Sequence, residues 1–469
     1  MSVPRPGRTL AVVSAALFMV TLDNLVVTTA LPSIRADLGA SIEALEWTVN
    51  AYTLTFAVLL LTGAALGDRF GRRRVFLAGL GLFTLASAAA ALAPSTGALI
   101  AARAVQGAGA AAVTPLTLTL LSEAFPTGRR GMALGIWSGV SGLGVALGPL
   151  VGGAVVDGIS WNWIFWLNVP VGLALLPLAR GWLTESRGPN GALDLGGLAL
   201  GSAGLLGLVY GVVQGNAAGW GSLEVLGAIG AGAGLLGAFV AHERRVAQPM
   251  LPMRFFADRG FAATSAVSLV MMFGIFGSIF LLAQYFQTVQ GFSPLESGLR
   301  TLPWTGMPMI VAPIAGLLSD RIGSRPLMVA GLGLQAVAIT WLAATMAVDT
   351  PYAQLVPGFV LGGAGMALVF APAANAVLRS VRPEEAGQAS GATNTIREIG
   401  GVLGVAVLAA VFSGSGSYAS PQAFVDGVGP ALWVGGAVLA AGALAALAVP
   451  GLRRETRSPG LEPSAVVVA

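Results

Sequence analysis

The chain has 469 residues, 55% hydrophobic and only 10% charged, with a mean hydropathy of +0.80 and a formal net charge of +4. Soluble domains carry about 25% charged residues, so this composition is that of an all-α integral membrane protein, and length does not translate into soluble domains. The absence of cysteine excludes disulfides and thiolate chemistry, and a single histidine, His242, argues against a histidine-built metal site or a Ser/His/Asp triad.

Apolar runs near the ~20 residues that a bilayer requires fall, in chain order, at about 10–31, 46–66, 75–93, 97–121, 131–156, 163–183, 195–213, 223–241, 261–286, 295–318, 326–347, 354–378, 386–412 and 429–449. The first continues to full span length with no A-x-A site after it, so no cleavable signal peptide is expected. A polar loop, SIRADLGASIEA, follows the first run at LP. Runs seven and eight are Gly/Ala/Leu-rich with few polar groups. His242, in AHERR at the end of run eight, reads as an interfacial, solvated histidine.

All 25 basic residues are arginine. A pI near 10.1 alone would suit a nucleic-acid partner, but the arginines mark topology instead, and no nucleic acid is expected. Fourteen spans place both termini on one side. With that side in the cytoplasm of a cell-membrane protein, 21 of the 25 arginines fall inside. Arg35 and Arg300 fall outside, and Arg103 and Arg397 lie within spans.

The chain repeats itself. Gly67-Asp68-Arg69-Phe70-Gly71-Arg72 after span 2 corresponds to Ser319-Asp320-Arg321-Ile322-Gly323-Ser324 after span 10. Both copies follow an inward-running helix, which predicts two parallel six-helix bundles related by an axis along the membrane normal. The expected organisation is a bundle over 1–187, an inserted hairpin over 188–243, a bundle over 244–452 and a cytoplasmic tail over 453–469.

Several stretches carry chemistry. In 135–153, GIWSGVSGLGVALGPLVGG, residues Gly144, Gly148 and Gly152 share one helix face and admit a close neighbour, while Pro149 removes a backbone bond; Gly135 and Gly153 complete the pattern. In the first repeat, Gly71 permits a tight turn, and Asp68 has Arg69 and Arg72 as partners beside helix termini. Asp320 and Arg321 stand at the same places in the second repeat, where Ser324 and Pro326 replace basic residues. Arg103, followed by Gln106, is an arginine inside an apolar span and requires a partner, since its insertion costs ~2.5–3.5 kcal/mol. Asp23, followed by Asn24, is a carboxylate in span 1. Counting 1.5 Å per residue from the outer ends places Asp23 and Arg103 level, each roughly 10 Å deep. Glu46, Trp47, Asn50 and Tyr52 open span 2, and Asn394, Arg397 and Glu398 lie in span 13, where Glu398 adds a second titratable group. Phe276, Phe280, Tyr285, Phe286, Trp304, Phe370, Met271, Met272 and Met307 are candidates for an adaptable lipophilic pocket or for plain packing.

Together these stretches resemble the major facilitator superfamily, in particular its fourteen-span drug/proton antiporters of the EmrB/QacA type. The glycine stripe resembles the fifth-helix antiporter motif, and GDRFGRRR the signature loop after span 2. Leu22 to Pro32 resembles LDxTIVNVALP, with Asn24 and Leu25 as departures; Trp161 to Pro170 resembles WRWIFxINVP, with Asn162 for Arg. Glu46 and Glu398 each stand where the family usually shows Gln.

The resemblance implies a major facilitator fold and a monomer in the bilayer. It implies alternating access, with export of lipophilic, cationic compounds against inward protons and no cofactor beyond the proton. Asp23 would carry the coupling proton or meet a cationic substrate, with Arg103 tuning it, and the loop at Asp68 would act as a charge latch favouring the outward-facing state. An exporter of an endogenous metabolite or lipid on the same scaffold is the alternative. A non-transporting receptor is another, disfavoured by the intramembrane Asp23, Arg103, Arg397 and Glu398. No P-loop is present, so ATP drive is not indicated, and no enzyme activity is expected.

Overall fold

A computed structural model describes residues 6–187, 194–381 and 386–451; within its helices the side chains at 127–132, 134, 135, 138, 145, 146, 320, 378, 386–388 and 390 lie outside the description. The predicted tail over 453–469, and Gly135 and Asp320 of the predicted motifs, therefore fall outside the described residues or side chains.

The first half comprises α1 (Pro6–Leu38), α2 (Ile42–Phe70), α3 (Arg72–Ala91), α4 (Thr96–Ala124), α5 (Thr127–Gly158), α6 (Trp163–Trp166) and α7 (Asn168–Trp182). The hairpin α8 (Leu195–Ala218) and α9 (Leu223–Glu243) follows. The second half comprises α10 (Arg259–Thr288), α11 (Pro294–Thr305), α12 (Met307–Ile322), α13 (Ser324–Thr345), α14 (Tyr352–Arg379), α15 (Ala386–Ser415) and α16 (Pro421–Ala445). No strand occurs among the described residues. Among the described residues, fourteen segments are long and apolar enough to cross a membrane, α6–α7 and α11–α12 each counting as one.

Local chemistry sets the helix boundaries. The side chains of Ser41, Ser95, Asp194, Ser222, Asp258 and Ser420 cap helix starts by accepting from orphan backbone N–H groups, and Ser293 with Glu296 forms a capping box. Gly71 and Gly323, at φ 111° and 89°, make the two repeat turns, and each donates its N–H to the carbonyl four residues back, Gly67 and Ser319. The sequence repeat is thus a structural repeat.

Apolar runs alone misplace several ends. The first helix does not stop at LP; it continues through Pro32 to Leu38, leaving a much shorter loop than expected. Proline removes one backbone bond and crowds the carbonyl four residues back, and α1 absorbs both within its 33 residues. Span 6 divides at Leu167 and span 10 at Gly306, beside Pro170 and Pro308. Span 14 starts at Pro421 rather than near 429, since its first turns are polar but helical.

Two faces can be told apart by contact. On one, Arg72 pairs with Asp68 at 2.7 Å and with Glu123, Ser186 also reaches Glu123, and Arg8 lies over Trp182. We call this the Arg-rich face. On the opposite face, Trp161 donates to Asp37 at 2.7 Å and Asn162 to the Ala91 carbonyl at 2.9 Å. The hairpin lies over the seam between α2 and α15, where Leu54, Val58, Leu205, Val209, Val213, Val402 and Ala406 form one apolar cluster.

Candidate transport site

The structure joins Asp23 and Arg103 directly, across α1 and α4. Arg103 Nη1 donates to Asp23 Oδ2 at 2.7 Å, and the two side chains are 1% and 0% exposed. Gln106 Nε2 and Asn168 Nδ2 donate to Asp23 Oδ1 at 2.8 and 2.6 Å. Arg103 is held further by Gln106 Oε1 at 2.7 Å, by the Thr48 carbonyl at 3.2 Å, and by the Tyr52 ring 4.2 Å beneath its Cζ. Ser87 on α3 accepts from Gln106 at 2.7 Å and from Asn168 at 3.4 Å. A buried charge survives only when paired and hydrogen-bonded, and here four helices supply the partners. The close approach of α2 and α4 at this level depends on Gly107, where a Cβ would overlap the Tyr52 carbonyl oxygen.

Asn168, Ser87 and the Thr48 carbonyl were not singled out by sequence. Asn168 lies inside the WIFWLNVP pattern, where a lone amide within an apolar run was the available signal; Ser87 in an alanine run gives none.

Other predicted residues sit apart from this network. Asn50 is fully buried with neither side-chain polar atom bonded among the described residues, and Asn24 Oδ1, Glu46 Oε2 and Glu398 Oε2 are likewise unpartnered. Arg397 on α15 donates to Asn394 Oδ1 at 3.3 Å and to the Phe370 carbonyl at 3.4 Å, and lies 4.4 Å over the Phe370 ring. Of the aromatic candidates, Phe280, Tyr285, Phe286 and Trp304 are buried packing residues: Phe359 meets Phe286 at a tilt and Trp304 edge-on. Met271 and Met272 are also buried, whereas Phe370 is 40% exposed.

The glycine stripe packs as its spacing requires. Cβ atoms at Gly144, Gly148 and Gly152 would meet Thr21, Leu25, and Val26 with Thr29, all on α1. Gly153 turns the other way: a Cβ there would overlap the Pro294 carbonyl oxygen and stand 2.7 Å from Leu295 Cα on α11. A Cβ at Gly298 of α11 would overlap the Pro149 carbonyl oxygen in return. The motif therefore joins α5 both to its own bundle and to the other one.

The two halves meet near the opposite face. Gln287 donates to the Thr29 carbonyl at 2.8 Å, Arg35 lies 4.0 Å over the Tyr418 ring, and Tyr418 donates to Gln284. Toward the Arg-rich face lies a cavity of about 1000 Å³, lined by residues of α2, α4, α5, α15, the hairpin base and the segment after it, with Asp68, Arg72 and Asn394 among them. Asp68 pairs with Arg72 of its own half; in the second repeat Arg321 is exposed, and Ser319 and Ser324 bond at 3.0 Å. This arrangement is closed at one face and recessed at the other.

His242 is not merely solvated. Its Nε2 lies 2.7 Å from Asp194 Oδ1, joining the two ends of the hairpin; the sequence reading missed this because the partners lie 48 residues apart.

Fourteen candidate spans among the described residues, with an ion pair buried between spans and a cavity toward the Arg-rich face, define a multi-pass membrane protein of the transporter type. A family model of the Major Facilitator Superfamily matches residues 13–405, and the chain belongs to that family. It is 40% identical over 460 residues to the cephamycin export protein CmcT of Amycolatopsis lactamdurans, covering 96% of this chain and 94% of that one. It is 37% identical over 406 residues to the tetracenomycin C resistance and export protein of Streptomyces glaucescens, covering 86% and 75%. The fold matches a crystal structure of a D-xylose-proton symporter with a TM-score of 0.67 at 15% identity, over 94% and 96% of the chains.

Proposed function

We propose that this protein exports lipophilic antibiotics or drugs, exchanging them for protons by alternating access. It works as a monomer in the cell membrane, without a cofactor or enzymatic step, with the Arg-rich face and both termini in the cytoplasm. The relatives named for antibiotic export support the substrate class. The placement of 21 of 25 arginines supports the orientation.

The observation that carries the coupling is the sealed Asp23–Arg103–Gln106–Asn168 network. Every partner of Asp23 there is a donor, which suits the carboxylate. A proton arriving on Asp23 removes the charge that holds Arg103 and obliges one donor to find another acceptor. Those donors stand on α4 and α7, so protonation loosens α1 from its own bundle. Glu398, with its unpartnered oxygen, supplies a second acidic group toward which a cation is drawn. In the recessed state substrate enters from the Arg-rich face, while the α5–α11 crossing closes the other. Separation of Asp68 from the second half in this state suits a latch that engages when the recess closes.

Inward movement of one proton supplies about 2.3 kcal/mol per 100 mV and about 1.4 kcal/mol per pH unit. The test is accumulation of a lipophilic dye in cells expressing the chain. Lower accumulation that a protonophore abolishes is expected; reduction that persists with the proton gradient collapsed would refute proton-driven export.

A further inference from the structure

The base of the hairpin holds acidic groups that the transport account does not use. Asp194 caps α8 through Gly197 N–H at 2.7 Å, and Glu243 ends α9 and accepts from Leu251 N–H at 2.8 Å. Both carboxyls are buried, with Glu243 3% exposed, and each keeps one oxygen, Asp194 Oδ2 and Glu243 Oε1, without a donor among the described residues. These two oxygens converge over Gly197: a Cβ there would overlap Glu243 Oε1 and stand 2.6 Å from Asp194 Oδ2. Lying within 2.6 Å of that one point, the two oxygens are at most about 5 Å apart.

Two carboxylates buried in contact repel, whereas a carboxylic acid beside a carboxylate makes a strong, charge-assisted bond. We propose that Asp194 and Glu243 form a second proton-binding site, sharing one proton, and that this proton fastens the segment 244–251 to the start of α8 along the wall of the cavity. Asp194, Glu243, Arg244, Val246 and Ala247 all line that cavity, so the clasp lies on its wall. The Leu251 N–H tether runs through Glu243 itself, so the site and the segment move together.

The asymmetry of the pair places the proton. Desolvation opposes charge on Asp194. The Gly197 N–H, His242 and Glu243 hydrogen bonds outweigh it and bring this carboxyl below its usual range, so Asp194 stays ionised and Glu243 holds the proton. His242 faces Asp194 from α9; Asp68 and Arg72 from the α2–α3 turn, and Arg244 and Arg254 after α9, line the same cavity. Raising the pH strips the proton and the two carboxylates separate; Glu243 keeps the Leu251 N–H, a bond that its charge strengthens, so the segment moves away from Asp194 with it.

Infrared pH titration of the full chain in lipid nanodiscs tests this directly. A protonated-carboxyl band that disappears as pH rises is expected in the wild type and in Asp23→Asn, and is expected to be missing from Glu243→Gln. Asp194→Asn removes the neighbouring negative charge, so the band should vanish at lower pH than in the wild type. A spin label at Ala247→Cys should gain mobility over the same pH interval. A spectrum unchanged by Glu243→Gln, or a label whose mobility ignores the loss of the band, would overturn the proposal.

Discussion

Gly153→Ala is the most informative single perturbation of the inter-bundle contact. The methyl would be placed against backbone, namely the Pro294 carbonyl and Leu295 Cα at 2.7 Å, so no side chain can rotate away and α5 and α11 must part. Gly298 makes the reciprocal approach to Pro149 and Leu150, so the strain acts on the same crossing from either side. Overpacking of this kind costs about 1–3 kcal/mol. If that cost falls on the state closed at the opposite face, the equilibrium shifts toward its opening by about 5–150-fold. The chain has no cysteine, so labels introduced at Ala36→Cys and Ala419→Cys, on exposed positions of the two halves near Arg35 and Tyr418, report without background. Electron–electron distance measurements should show a longer-distance population in Gly153→Ala and in Gly298→Ala. A distribution identical to wild type in both well-folded variants would refute the assignment of this crossing as the contact that closes the opposite face.

Asp23→Asn should lower the thermal midpoint strongly. It leaves the buried guanidinium of Arg103 without its counter-charge, a loss of about 3–5 kcal/mol. The double variant Asp23→Asn/Arg103→Gln, which removes both charges, should recover much of this in the same detergent, and a double variant no better than the single would contradict the pairing. Gly107→Ala forces α2 from α4 at the Tyr52 carbonyl, and should destabilise by about 1–3 kcal/mol in a thermal or denaturant melt. Asn216 on α8 donates to the Ala410 carbonyl and to Ser413 on α15, the latter at 2.9 Å. Asn216→Leu should cost about 1 kcal/mol and raise amide exchange in α8 while exchange in α1 and α4 is unchanged.

Spacing and charge made the span count, the repeat and the Asp23–Arg103 level legible, because each follows from chain geometry: a bilayer's thickness, the sign of loop charge and a fixed rise per residue. The glycine stripe was readable for the same reason, as four-residue steps keep Gly144, Gly148 and Gly152 against α1. What spacing could not show was that the adjacent Gly153 meets a different bundle, since partner identity is a tertiary fact. Ser87, Asn168 and the Thr48 carbonyl were hidden because small polar groups and backbone atoms leave apolar runs almost unchanged. The first helix was cut short at Pro32 because a proline inside a long helix need not end it, and the break at Leu167 and the start at Pro421 were missed because hydropathy records composition rather than local backbone and caps. The hairpin's cover over the α2–α15 seam and the Asp194 partner of His242 are contacts between distant parts of the chain, which no local pattern encodes.

The central claim is exchange of drug for proton through Asp23. The measurement that reaches it most directly uses proteoliposomes containing the purified chain, an imposed pH gradient, and a panel of lipophilic cations and neutral antibiotics, with Asp23→Asn in parallel. The account predicts that a transported compound collapses the gradient with the wild type and leaves it intact with the variant. A compound that binds yet moves no protons, or a collapse that survives Asp23→Asn, would contradict it.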